Sequence, residues 1–241
     1  MATAVLDKSA NKRRSGVSEA TRIKIMQAAE ILFADRGIDG VALREIAAAA
    51  GQGNNTAVQY HFGSKEKLIF EIFHYRTNMF EAQRTRMLEE AEEAGQLGNA
   101  KVLLQILCLP HLSIADEKGG HPYSAFFAQY LTRARASGIA HPYDDPEVPV
   151  PALRRVRRLL TERVSYVPAH VLRQRFGLTK LMFLNMLMRR DSGFPHYDEG
   201  ISLSVLVDDT LEQMSAAFVA PYRFPGPDLF SGINPHATIR R

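Results

Sequence analysis

Residues 42–68 read ALREIAAAAGQGNNTAVQYHFGSKEKL. Leu43 to Ala50 is a run of good helix formers that stops at Gly51, after which small polar residues turn the chain. A second short helix, about Asn55 to Phe62, carries polar and aromatic side chains where a buried helix would need aliphatic ones. Ser64 then caps a third, much longer helix with Lys65 and Lys67 in its first turn. Two short helices joined by a glycine-containing turn form a helix-turn-helix, whose second helix enters the major groove of DNA.

The helical wheel supports that assignment. Val58 and Phe62 are four apart and share one face, from which they can pack on Leu43, Ile46, Ala47 and Ala50. Thr56 and Tyr60 fall on the opposite face with Ala57 at its edge, and Asn55, Gln59 and His61 lie on the flanks. These donors, acceptors and a methyl group suit base edges and phosphates. The competing assignment is a surface helix of an ordinary bundle. The segment before the motif, TRIKIMQAAEILFADRG from Thr21 to Gly37, places Ile25, Ala28, Ala29, Leu32 and Phe33 in an apolar stripe, with Gly37 ending the helix. Packed across the pair, it completes a three-helix minidomain.

With Thr21, Ala28, Ala29, Leu32, Phe33, Gly37, Arg44, Ile46, Ala47, Ala50, Gly51, Tyr60, Phe62, Ser64, Lys65 and Leu68 in this order, residues 18–70 resemble the TetR family of bacterial transcriptional regulators. Two departures stand out. Gln52, Gly53, Asn54 and Asn55 follow the turn glycine with one residue more than the usual pattern, and Ala42 stands where a capping Thr or Ser is usual. Alanine cannot accept the free backbone N–H bonds of a helix start. The resemblance implies that Arg44 reaches a guanine edge, that Thr56, Ala57 and Tyr60 face bases with Asn55 beside them, and that Gln59, His61 and Lys65 face phosphates.

The chain has 241 residues, a net charge of +4, and nearly half its residues hydrophobic, so a sizeable core is available. Residues 1–16 are polar and basic without an apolar stretch of signal-peptide type, and no run reaches the length of a membrane span; a cytoplasmic protein without a membrane partner is expected. A lone cysteine, Cys108, excludes an intrachain disulfide and a cysteine metal cluster, and among Leu103, Leu104, Ile106, Leu107 and Leu109 it reads as a buried hydrophobe. Lys8, Lys12, Arg13 and Arg14 lie in a segment read either as an arm reaching DNA or as a solubilising tail. From Arg154 to Arg190 ten Lys or Arg residues face Glu162 alone. They serve either salt bridges to the acidic runs elsewhere or a site for an acidic ligand such as an acyl-coenzyme A.

The remainder reads as helices: residues 64–94, 100–118 with a kink at Pro110, 122–137, 150–166, one opening at Pro168, and a last one through Leu203, Leu206, Val207, Met214, Ala217 and Phe218. Gly138 to Pro151 holds four prolines and is a loop. The stretch GLTKLMFLNMLM, 177–188, is apolar almost all round, and burial of the last two helices against a second copy explains it; the resemblance implies the same homodimer.

The expectation is therefore all-α. Residues 1–17 form a flexible basic arm, 18–63 the helix-turn-helix domain, 64–220 a larger helical domain for effector binding and dimerisation, and 221–241 an irregular tail. No phosphate loop, GxSxG elbow or HExxH pair is present, and the eight histidines are scattered, so no enzyme, cofactor or metal site is expected. The function expected is that of a repressor on near-palindromic double-stranded DNA, released by a mostly apolar small molecule. Leu104, Cys108, Phe126, Phe127, Tyr130, Met182 and Met186 are the candidate effector residues, with Arg133 or Lys180 holding an acidic end. An effector-independent regulatory or architectural DNA-binding protein is the alternative, and a hydrolase with a fortuitous helix-turn-helix a remote one.

Overall fold

The computed structural model of the chain describes residues 2–54, 56–193 and 200–223, with side chains from Ser18 onward. Among these residues it consists of nine α-helices joined by short 3-10 and π-helical turns, with no strand. Helix α1 runs Ala2–Arg36, α2 Leu43–Ala49, α3 Ala57–Phe62 and α4 Lys65–Glu93. They are followed by α5 (Ala100–Cys108), α6 (Pro122–Gln129), α7 (Pro151–Arg163), α8 (Ala169–Asp191) and α9 (Leu203–Val219). The backbone of α1 is helical through residues 2–17, the segment expected as an arm. Pro221–Arg223 are irregular, and the rest of the expected tail lies outside the described residues.

Local chemistry accounts for most boundaries. The Ser64 hydroxyl accepts the Lys67 N–H at 3.2 Å, so the cap anticipated for α4 is in place. Pro110 does more than kink its helix: the α-helix ends at Cys108 and a 3-10 turn, Leu109–Ser113, takes over, because proline offers no N–H and its ring opposes the preceding turn. Helix α6 stops at Gln129 and continues as a π-helical turn, Tyr130–Ala134. Helix α7 follows the proline-rich loop without a cap of its own. Its Ala152 and Leu153 N–H groups donate to the Glu81 carboxylate of α4, at 2.9 and 3.1 Å.

Two apolar clusters form the interior. One joins Ile25, Ala29 and Phe33 of α1, Ile46 and Ala47 of α2, and Val58 and Phe62 of α3 to Leu68, Ile72 and Phe73 of α4. It does not close at residue 63, because Tyr123, Phe126 and Tyr130 belong to it too. The Phe33 and Phe126 rings stack at 5.5 Å, seating α1 on α6. The second cluster gathers α5, α7, α8 and α9 around Leu103, Val156, Leu160, Phe183, Leu211 and Phe218. Helix α4 runs between them and gives Leu88 and Ala91 to the second.

One charged pair lies inside this apolar frame. Arg76 of α4 donates through Nε and Nη2 to the two carboxylate oxygens of Glu30 on α1, the first at 2.7 Å, and both side chains are almost wholly buried. Removing one partner strands the other charge in the core, which costs roughly 3–5 kcal/mol, whereas an apolar replacement of both is close to neutral. Arg76→Met and Glu30→Leu alone should each lower unfolding free energy by that amount, and the double variant should regain most of it. Urea unfolding of the four proteins measures this directly.

Candidate functional site

The helix-turn-helix is held together by local bonds that the sequence pattern only partly anticipates. Gly51 adopts φ 68, the left-handed conformation that makes the turn after α2. No side chain caps α2 at Ala42; the start of the helix is instead fixed by the Glu45 carboxylate, which accepts the Ala42 N–H at 2.7 Å and is itself held by Arg36 at 2.8 Å. At the extra residue after the turn, Asn54 Oδ1 accepts both the N–H and the hydroxyl of Thr56, at 2.9 and 2.7 Å. This Asx turn delays α3 to Ala57, two residues later than the sequence pattern suggests.

The outer face of α3 is polar and aromatic. Thr56, Gln59 and Tyr60 are exposed, as is Arg44 on α2. Tyr60 is 84% exposed, an unusual position for a large ring on a six-residue helix, and the His61 ring meets it edge-on at 5.0 Å. His61 is half-buried; burial, then the nearby Arg22, lowers its pKa, so it is neutral at pH 7. Arg22 of α1 donates to the His61 carbonyl at 2.7 Å and to Glu71 at 2.9 Å, pinning the end of α3 to α1 and α4.

Ala57 is buried in the minidomain core, because the late start of α3 turns it inward with Val58; its place among base-facing residues is corrected. Lys65 is half-buried and its ammonium donates to the Ile38 carbonyl at 3.0 Å, so it braces the turn after α1 instead of standing free for a phosphate. Asn55 lies outside the described residues. Lys67 is exposed in the first turn of α4, and its ammonium, unlike that of Lys65, has no hydrogen bond to the chain among the described residues.

A cavity of about 660 Å³ opens in the larger part of the molecule, between α4, α6, α7 and α8 and the loop before α7. Aromatic rings of Phe80, Tyr123, Phe127, Tyr143 and Phe176 line it, together with His111 and His141. Lys180 contributes a buried ammonium whose Nζ lies 2.8 Å from His111 Nε2. Burial above all pushes the Lys180 pKa down to about 8, and burial likewise depresses His111. His111 therefore stays neutral and accepts from Lys180 through Nε2, while its Nδ1–H donates to the Ser124 hydroxyl at 3.2 Å. His141 is pushed down to about 3, chiefly by burial, and its Nδ1 accepts the Tyr143 N–H.

Of the expected effector residues, Phe127 lines this cavity, and so does the proposed anchor Lys180. Leu104 and Cys108 lie one step round α5 from the lining residue Leu107, within the core beside α7 and α9. Phe126 is packed between the Phe33 and Phe73 rings, and Tyr130 donates its hydroxyl to the Ile139 carbonyl at 2.7 Å. Met182 and Met186 turn the other way, into a surface groove of about 620 Å³ between α6, α8 and α9. Arg133 is exposed and outside the cavity lining. Arg84, which lines the cavity from α4, was missed altogether, and Arg157, which lines it from α7, was read only as one member of the basic block from Arg154 to Arg190. A signal for Arg84 existed: Phe73, Thr77, Phe80, Arg84, Leu88 and Ala91 recur at spacings of three or four, so Arg84 occupies a core register.

Residues 25–72 match the family model of the bacterial regulatory proteins, tetR family. No protein of curated function matches the chain. Among solved structures, a protein described as a TetR-family transcriptional regulator from Mesorhizobium loti is 20% identical, covers 83% of this chain and 96% of its own, and superposes with a TM-score of 0.43. AibR in complex with isovaleryl coenzyme A and operator DNA is also 20% identical, with 84% and 100% covered and a TM-score of 0.44. A gamma-butyrolactone receptor, an ArpA-like protein, stands at 20%, 83% and 96%, and 0.39. Likenesses this distant transfer no ligand. The match over α2 and α3, with the turns of α1 and α4 that pack on them, carries the assignment: this chain has the DNA-reading domain of the tetR family of bacterial regulatory proteins.

Proposed function

We propose that the protein is a homodimeric transcriptional repressor that leaves its operator when a small organic molecule occupies the cavity. The observation that carries this is the continuity of α4. Leu68 and Ile72 hold the minidomain, while Thr77, Phe80 and Arg84 of the same helix line the cavity. From Lys65 to Arg84 the helical rise spans about 28 Å. A displacement of α4 at the cavity is therefore carried to the reader, and occupation shifts the equilibrium by as much as the ligand prefers the displaced form. The position of the cavity on the reader's own supporting helix favours this reading over an effector-independent protein.

Base reading falls to Arg44, Thr56 and Tyr60, with Gln59 and Lys67 at the phosphates. The groove between α6, α8 and α9 supports the dimer. Leu178 is 61% exposed on it, with Leu181, Met182, Met186 and Leu206 alongside, an apolar seam that a second copy would cover. Ser124 and His111 are both buried, with no carboxylate in hydrogen-bond contact with the imidazole, and a catalytic role is not part of the proposal.

On a near-palindromic duplex with half-sites about 34–36 Å apart, Arg44→Ala and Tyr60→Ala should each weaken specific binding by roughly 1–3 kcal/mol. Lys67→Ala should weaken all sequences alike and reduce the salt slope by about one. Fluorescence anisotropy across a salt series separates the two behaviours, and full specific affinity in folded Arg44→Ala and Tyr60→Ala proteins would remove both side chains from the base-reading set.

For assembly, Leu178→Arg, at an exposed side chain shared by the groove and the cavity rim, is a more direct probe than any change at Phe218, which is wholly buried within one chain. Sedimentation at micromolar concentration should give a wild-type dimer and a folded Leu178→Arg monomer. A wild-type monomer would rule out the two-half-site arrangement.

A further inference from the structure

Arg84 is buried in the cavity wall with one long ion pair, to Glu81, and N–H groups left without a hydrogen bond. Its side chain is 5% exposed, and its Nε and Nη1 have no hydrogen-bond partner. The Glu81 carboxylate lies 3.7 Å from Nη1, too far for a hydrogen bond, and both its oxygens already accept N–H groups at the start of α7. The face of the Phe80 ring, 5.1 Å away, is its other neighbour. Burial disfavours the charge, yet a guanidinium does not give up its proton in a protein. Folds seldom retain a buried cation without hydrogen bonds unless something binds to it.

The surroundings repeat the pattern. Arg157 also has a buried Nε without a partner, and its guanidinium lies between the Phe176 and Tyr143 rings, 4.0 and 4.4 Å from their centres. Lys180 reaches only neutral acceptors, the His111 ring and the Leu107 carbonyl, with Cys108 Sγ at 3.8 Å. Arg135 and Arg173 stand exposed at the cavity edge. Among the described residues the one acid in the lining is Asp144, and it is taken up by Arg135 at 2.8 Å and the His141 N–H at 3.0 Å. The cavity thus combines an excess of cations with aromatic walls. A purely apolar ligand would leave the guanidinium N–H groups of Arg84 without hydrogen bonds, and a polyphosphate would leave the rings uncovered.

We propose that the cavity binds an organic carboxylate, its acid group on Arg84 and its apolar chain or ring against Phe80, Tyr123, Phe127 and Phe176. This rests on the ligand-responsive reading above and names the ligand class. Arg157 and Lys180 supply the remaining positive field. The planar guanidinium donates directionally to carboxylate oxygens, and exclusion of water strengthens each such bond. An acyl-coenzyme A is the competing source of the same acyl body, with its charge in phosphates that would have to lie outside, near Arg135 and Arg173.

The test is calorimetric titration of the full chain, without DNA, with phenylacetate, 4-phenylbutanoate, hexanoate, octanoate and decanoate, with the amide of each, with phenyl phosphate, and with octanoyl-coenzyme A. At least one acid should bind tenfold or more tightly than its own amide, a comparison that needs no variant. Arg84→Met should weaken that acid by about tenfold to a hundredfold, the loss of one charge-assisted hydrogen-bonded contact, and should raise the melting temperature of the unliganded protein. The proposal is overturned if no acid in the panel binds, if amides bind as well as acids, or if folded Arg84→Met keeps full affinity. Tighter binding of octanoyl-coenzyme A than of octanoate, or of phenyl phosphate than of phenylacetate, also overturns it. Operator affinity is measured separately. An acid that binds through Arg84 without changing operator affinity supports the carboxylate site and overturns the release mechanism alone.

Discussion

The ring of Phe73 sits where everything in this molecule has to meet. It projects from α4 and lies 4.5 Å from the Tyr130 ring, 5.0 Å from Phe126 and Phe127, and 4.7 Å from His141, centre to centre. One of those neighbours, Phe126, stacks on Phe33 of α1, and another, Phe127, lines the cavity. One turn on, Arg76 of α4 grips Glu30 of α1. Protein interiors are as dense as molecular crystals, so a helix held this way cannot shift at one end and be absorbed by slack at the other. Reader and cavity share a packed wall as well as a helix.

Helix α4 also holds the electrostatics of the larger part together. Helix α7 starts at Pro151 after a proline-rich loop and has no capping side chain of its own. Glu81 reaches across from α4 to close its first N–H groups, where the helix dipole also favours a carboxylate. That service leaves Glu81 too far from Arg84 to hydrogen-bond with it. The cap of α7 and the orphaned guanidinium are two consequences of one carboxylate being committed to backbone. Buried charges here differ in how they are met: Arg76 is hydrogen-bonded to both oxygens of Glu30, whereas Arg84 has only a 3.7 Å ion pair and Lys180 only neutral acceptors.

What the sequence disclosed follows the range of the interactions involved. The helix-turn-helix is local chemistry: Gly51 at positive φ, the Ser64 cap, and Val58 with Phe62 on one face are all fixed within a few residues. The errors within it are local too. An Asx turn at Asn54 shifts the start of α3 and carries Ala57 inward, and the long Lys65 stem finds the Ile38 carbonyl. The cavity was far less legible, because apolar and aromatic residue types occupy core and cavity wall alike. Phe126, Phe127 and Tyr130 are near neighbours in sequence, yet of the three Phe127 alone lines the cavity. Arg84 lies in a stretch reading EAQRTRMLEE, which composition presents as a solvated face, and only its register on α4 marks it as interior.

The size of the effect needed for regulation can be set against what one such residue can supply. Driving a regulator off DNA by a factor of about one hundred takes roughly 2.7 kcal/mol of coupling between ligand and operator, and the coupling is reciprocal. A hydrogen bond to a charged group contributes about 1.5–3 kcal/mol net. A single contact at Arg84 is therefore of the right magnitude, on one condition: it must form in one position of α4 and not in the other. Binding that satisfies Arg84 equally in both positions tightens the ligand and moves nothing. Arg84 meets the geometric requirement for that difference, because it rides on α4 itself while Arg157 and Lys180 ride on α7 and α8. A carboxylate held by the two latter groups and by Arg84 would measure the position of α4 against the rest of the cavity.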